Sequence, residues 1–115
     1  MAYDQELADR IRLVIGADPA LLAVLSEKRM FGGLAFFIGG NMTITASREG
    51  GILVRVDPDQ AGELIRTTGA TVAVMGGREM TGWLRVGPAD VDADEGLMPW
   101  VERSTAYAST LPAKR

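Results

Sequence analysis

Paired glycines at 39–40, 50–51 and 76–77 cut the middle of this chain into short runs in which apolar and polar residues alternate. This pattern constrains the fold more than any other feature. Alternation has the period of a half-buried strand, and glycine supplies the backbone freedom that tight reversals need. Met42, Ile44 and Ala46 alternate with Thr43, Thr45 and Ser47, and Ile52, Val54 and Val56 alternate with Leu53, Arg55 and Asp57. Together with a β-like run from Lys28 to Ile38, they read as a three-stranded antiparallel meander. Gly32–Gly33, inside the first run, reads as a bulge or a point of close backbone approach. Val72–Met75 and Met80–Val86 add two strands around the Gly76–Gly77 turn, for a sheet of five.

Helical spacing flanks these runs. Leu7, Ile11, Val14 and Ile15 form one stripe of a helix over 4–15, capped by Asp4 and ended by Gly16. Asp18–Pro19 predicts a second helix over 19–26 with Leu21, Leu22 and Leu25 inward. Asp57–Pro58 repeats the cap-then-proline signal for a helix to about Thr67, with Ala61, Leu64 and Ile65 apolar. A last helix, 95–110, aligns Leu97, Trp100, Val101, Ser104, Ala108 and Leu111, and Pro99 fits it only in the first turn. The order α–α–β–β–β–α–β–β–α predicts an α+β two-layer sandwich, an antiparallel five-stranded sheet with helices on one face. Residues 1–111 form one domain and 112–115 a frayed, disordered tail.

Two absences narrow the chemistry. The 115 residues include no Cys and no His. Thiolate catalysis, disulfides and cysteine-ligated metals are therefore excluded, and the usual proton shuttle near neutral pH is missing. The expectation is a chain that is not an enzyme and uses no cofactor. Net charge is −3 with 12 basic and 15 acidic residues, and the basic residues are scattered, which argues against direct nucleic-acid binding. Lys28–Arg29 is the best basic cluster. The longest apolar stretch, Gly32 to Gly40, is far too short to span a bilayer, and the acidic first helix does not resemble a signal peptide, so the expected location is the cytoplasm.

The run Arg29–Met30–Phe31–Gly32–Gly33–Leu34–Ala35–Phe36–Phe37, then Gly40–Asn41–Met42, resembles the opening of the TfoX/Sxy N-terminal domain. Leu53–Val54–Arg55–Val56, Gly77–Arg78, Met80, Gly82–Trp83, Trp100–Val101, Ala106 and Ala108 continue the resemblance along essentially the whole chain. It implies a fold similar to the two-layer sandwich of secretion chaperones. It also implies a role like that of the competence regulators of this family, which act with a transcription factor of the cyclic-AMP receptor type. Those regulators carry a further C-terminal helical domain, which would begin where this sequence ends.

The candidate partner-binding residues are Lys28, Arg29, Phe31, Gly32, Gly33, Arg78, Met80 and Trp83. Arg29–Gly33 could present backbone amides and a cation to a partner. The alternative is structural, with the glycines bending a strand while Met30 and Phe31 fill the core. Arg78, Met80 and Trp83 would join this surface if the last hairpin lies alongside, or Trp83 could simply be core. The expected partner is a protein, such as a transcription factor or a second copy of the chain. A second class of function is a small anionic-ligand binder or enzyme. Its pocket would lie between sheet and helices, lined by Phe36, Phe37 and Trp83, with Arg29, Arg55 or Arg78 on the anion. Asp90, Asp92, Asp94 and Glu95 imitate a calcium loop, but Gly96 and Glu102 each fall one place late, so Asp94 or its neighbour reads as a helix cap and no metal is expected.

Overall fold

The computed structural model describes residues 3–114. Helix α1 (Gln5–Gly16) begins at Asp4, whose carboxylate accepts from the Leu7 amide at 3.1 Å, and it buries Leu7, Ala8, Ile11 and Ile15. Gly16 is still helical. Asp18 then caps α2 (Pro19–Leu22), which lasts a single turn. The helix expected over 19–26 stops there because Leu25 opens strand β1 (Leu25–Met30) and pairs with Ile38. A helix of two turns is marginal alone, and six ladder positions outweigh it. Leu22, expected inward, is exposed.

The sheet has six strands, not five. Lys28–Ile38 is a hairpin instead of one bulged strand: β1 pairs with β2 (Gly33–Ile38), from Met30 opposite Gly33 to Leu25 opposite Ile38. The loop is Phe31–Gly32, with φ of +53° and +77°. Two positive φ values in a two-residue loop are those of a type I′ turn, whose twist matches that of paired strands. Strands β3 (Asn41–Ala46) and β4 (Ile52–Arg55) continue the meander. Helix α3 (Pro58–Thr67), capped by Asp57, then leads to β5 (Thr71–Met75) and β6 (Arg78–Val86). All neighbours are antiparallel, in the order β1-β2-β3-β4-β6-β5. A 3₁₀ turn at Pro88–Val91 precedes α4 (Asp94–Ser109).

Pleating separates the two faces. Phe36, Ile44, Val54 and Leu84 stand in register, and all are buried with α1, α3 and α4 in one core. The neighbouring row, Lys28, Ala35, Thr45, Leu53 and Arg85, lies on the helix-free face. Ala35 and Leu53 are buried there, apart from the main core. The fold is thus α+β, with its helices on one face of an antiparallel sheet.

Two helix details differ from expectation. Pro99 falls in the second turn of α4, where its missing N–H leaves the Glu95 carbonyl without its usual partner. The N-cap of α4 is Ala93, without a side-chain bond, and Asp94 is the first helical residue. The last described residues bond back to the β2–β3 turn. The Lys114 amide donates to the Gly39 carbonyl at 2.7 Å, and Asn41 donates to the Pro112 carbonyl at 3.0 Å. Arg115 lies outside the described residues. Among the described residues, no helix is long and apolar enough to cross a membrane.

Candidate functional site

Among the described residues, the one non-glycine residue with positive φ stands in the turn between β1 and β2. Phe31 adopts φ +53° and is 70% exposed. A side chain in the left-handed region crowds the following carbonyl, at roughly 1–2 kcal/mol, which is why Asn or Gly normally stands there. Exposure also forfeits the burial energy an aromatic ring offers. The reading in which Phe31 fills core is therefore corrected, while Met30 is half-buried. The two glycines serve different needs. Gly32 supplies the second positive φ and lies under the stem of Arg48, and a Cβ on Gly33 would run into the Ala46 carbonyl of β3.

Two cavities flank this turn. On the side of α1, one of 460 Å³ is lined by Tyr3, Gln5, Arg29, Met30 and the turn itself. The other, of 120 Å³, reaches the helix-free face, with Thr45 and Leu53 among its lining and Met30, Phe31 and Met75 beside them. Ser47, Arg48, Glu49 and Arg85 supply its polar part. Arg85 Nη1 lies 3.4 Å from Ser47 Oγ and 3.6 Å from Glu49. Thr45 is 7% exposed, and its Oγ1 has no hydrogen-bond partner among the described residues. Arg48 makes no ion pair among the described residues.

The sequence candidates divide. Lys28, Arg29, Phe31, Gly32 and Gly33 lie on the one hairpin, with Lys28 exposed opposite Ala35. Arg78 pairs with Met75, which shares the small cavity with Phe31, so the last hairpin does reach this region. Met80 is half-buried opposite Ala73. Trp83 lines neither cavity. It stands opposite Arg55, whose guanidinium is 5.6 Å from its ring and 5.6 Å from that of Tyr107, an arrangement that holds a cation between two π faces. The pocket expected between sheet and helices does not form as drawn: Phe36 and Phe37 are consecutive on β2 and leave on opposite faces, and Phe36 is fully buried in the core. Thr45, Arg48, Met75 and Arg85 escaped the sequence reading. Alternation alone assigns Thr45 to one face, but only the strand register brings it beside Arg85.

Other charged groups do structural work. Arg12 of α1 grips Glu27 of β1 at 2.5 and 2.8 Å and Asp9 at 2.7 Å. The Arg12 hydrogen bonds hold the Glu27 carboxyl below its ordinary value of 4.5, against the opposing effect of partial burial. Arg12 and Gln5 lower Asp9 likewise, and the two carboxylates raise Arg12. Asp94 pairs with Arg10 at 2.9 Å. Among the described residues, no three acids, histidines or cysteines converge as metal ligands. A wider groove of 650 Å³ between α1 and α4, lined by Leu13, Val14 and Met98 with Asp18 and Glu102, contains none of the sequence candidates.

The comparisons with known proteins fall on this same framework. A search of curated proteins found no match, and neither did a search of solved structures. A scan of family models matched the TfoX N-terminal domain over residues 20–108, from the start of α2 to the last turn of α4, most of the 115-residue chain. The chain belongs to the TfoX N-terminal domain family.

Proposed function

We propose that this chain is a non-enzymatic protein-binding module of regulatory type, which docks a partner at the end of the sheet where Phe31 projects. The observation that carries this reading is Phe31 itself. It holds a strained backbone and an exposed ring, and neither strengthens the fold. Strain of this kind gathers at functional sites, and exposed aromatics flanked by arginine are typical binding anchors. The surroundings agree. Three of the 12 basic residues, Arg29, Arg48 and Arg85, line the cavities beside the turn, and Lys28 precedes it on β1, in a chain of net charge −3. Membership of a family of regulatory N-terminal domains supports the regulatory role, and the absence of His and Cys supports a role without catalysis. A partner with an acidic surface, such as a transcription factor in the cytoplasm, fits this site.

Phe31→Asn tests the reading because Asn tolerates the left-handed conformation and keeps the turn. The variant should be as stable as the wild type, or more stable by up to about 1 kcal/mol. Its capture of partner from extracts of the parent cells should fall at least about tenfold, the loss of roughly one anchor contact. A variant that captures as well as the wild type, or that melts well below it, defeats the proposal. Sedimentation at several concentrations asks whether the partner is a second copy.

A further inference from the structure

We infer that the 120 Å³ cavity between the turns is a subsite for a carboxylate carried on a short apolar stem. Thr45 is the penultimate residue of β3, more than nine-tenths buried, with a hydroxyl that no described residue satisfies. Valine would fill the same space without that loss, so the hydroxyl is a donor in the cavity wall that a bound group can satisfy. Ser47 Oγ accepts from the Glu49 amide at 3.2 Å and from Arg85 at 3.4 Å, which leaves its own proton free to donate. Arg48 has no ion pair among the described residues, and Arg85 meets Glu49 only at 3.6 Å, a contact that an incoming anion can displace. Two guanidinium groups, the Ser47 hydroxyl and the Glu49 carboxylate therefore border one small space, with the Thr45 hydroxyl shielded in its wall, and the donors suit a planar carboxylate that takes Arg85 from Glu49.

The rest of the lining selects the stem. Met30, Leu53 and Met75 are apolar, and two of them are flexible thioethers that adapt to shape. At 120 Å³ the cavity is small, with room for a carboxyl group and two or three carbons. The carboxylate can come from a free short-chain acid or from the chain end of a partner peptide. The subsite shares Phe31 with the docking surface proposed above but does not depend on it, because a free acid fills it with no partner present.

The test titrates protein carrying ¹³C-labelled methionine and threonine methyls with sodium butyrate, n-butanol, n-butylammonium chloride and sodium phosphate at matched ionic strength. Butyrate should shift the methyls of Met30, Met75 and Thr45 saturably, and the other three should not. Thr45→Val should fold with an unchanged or higher melting temperature yet weaken butyrate binding by about tenfold, and exposed Arg48→Gln should weaken it similarly, each the loss of a charge-assisted bond. Equal shifts from butanol or phosphate, or full binding by both variants, overturns the inference. Acetyl-Ala-Leu with a free carboxylate, set against its amide, separates the sources. Binding about tenfold tighter than butyrate assigns the site to a partner's chain end, and equal or weaker binding assigns it to a free acid. Butyrate shifts retained in Phe31→Asn while partner capture is lost show that the two sites stand or fall separately.

Discussion

At the scale of single residues, this chain accepts local disadvantages in one small region. Phe31 is strained and exposed, Thr45 is buried with no hydrogen-bond partner among the described residues, and Gly33 has no room for any side chain. The three disadvantages differ in what a substitution does. Gly33→Ala should lose about 1–3 kcal/mol in denaturant unfolding, because its methyl would meet the backbone of β3 and a backbone cannot rotate away as a side chain can. Thr45→Val should instead be neutral or stabilising by up to about 1 kcal/mol, since it removes a desolvated hydroxyl and keeps the volume. A loss above that range would mean that the Thr45 hydroxyl is satisfied in solution. Gly32 and Gly33 were recognisable in the sequence as marks of close approach. Phe31 was not recognisable as a turn residue, because its chemistry favours strands and its conformation is imposed by the ladder on either side.

At the scale of elements, local signals served best where a cap and a periodic stripe agreed. Asp4 and Asp57 cap α1 and α3 as their positions suggested, and the glycine turns fall where the alternating runs break. The signals failed where pairing decided the outcome. Val24–Leu25 extends a helical pattern on paper, but Leu25 has a ladder partner in Ile38 and the chain turns into β1. α4 shows another compromise. It keeps Pro99 in its second turn while the Thr105 and Ser104 hydroxyls bond back to the Val101 carbonyl at 2.8 and 3.1 Å. Pro99→Ala should restore one helical hydrogen bond and raise stability by about 1–3 kcal/mol, readable as a higher melting temperature. An unchanged or lower value would show that the ring's own packing is what the helix needs at this position.

At the scale of the molecule, the first helix is joined to the edge strand through charge. Arg12 bridges Glu27 and Asp9, so α1 and β1 hold each other across the side of the fold opposite the β5 edge. Glu27 has a carboxyl pKa lowered in the folded state, so it contributes stability above its ordinary 4.5, and that contribution is lost as pH falls through the folded value. Glu27→Gln should therefore cost about 0.5–1 kcal/mol at pH 7, the range of a partly exposed pair, and the gap from wild type should close on acidification below 4.5. Melting curves across that interval check it, and a gap that persists in acid would remove the ion pair as its cause.

Composition and periodicity were enough to determine an α+β chain with one apolar core, strands punctuated by glycine, and chemistry without thiol or imidazole, because each of these depends on neighbours within a turn or a strand. They could not determine that one apparent strand was two, or that Thr45, Arg48, Met75 and Arg85 meet beneath Phe31. Those facts depend on which edges pair and in what register. Register is a balance of contacts among residues far apart in the chain, so only the assembled sheet decides it.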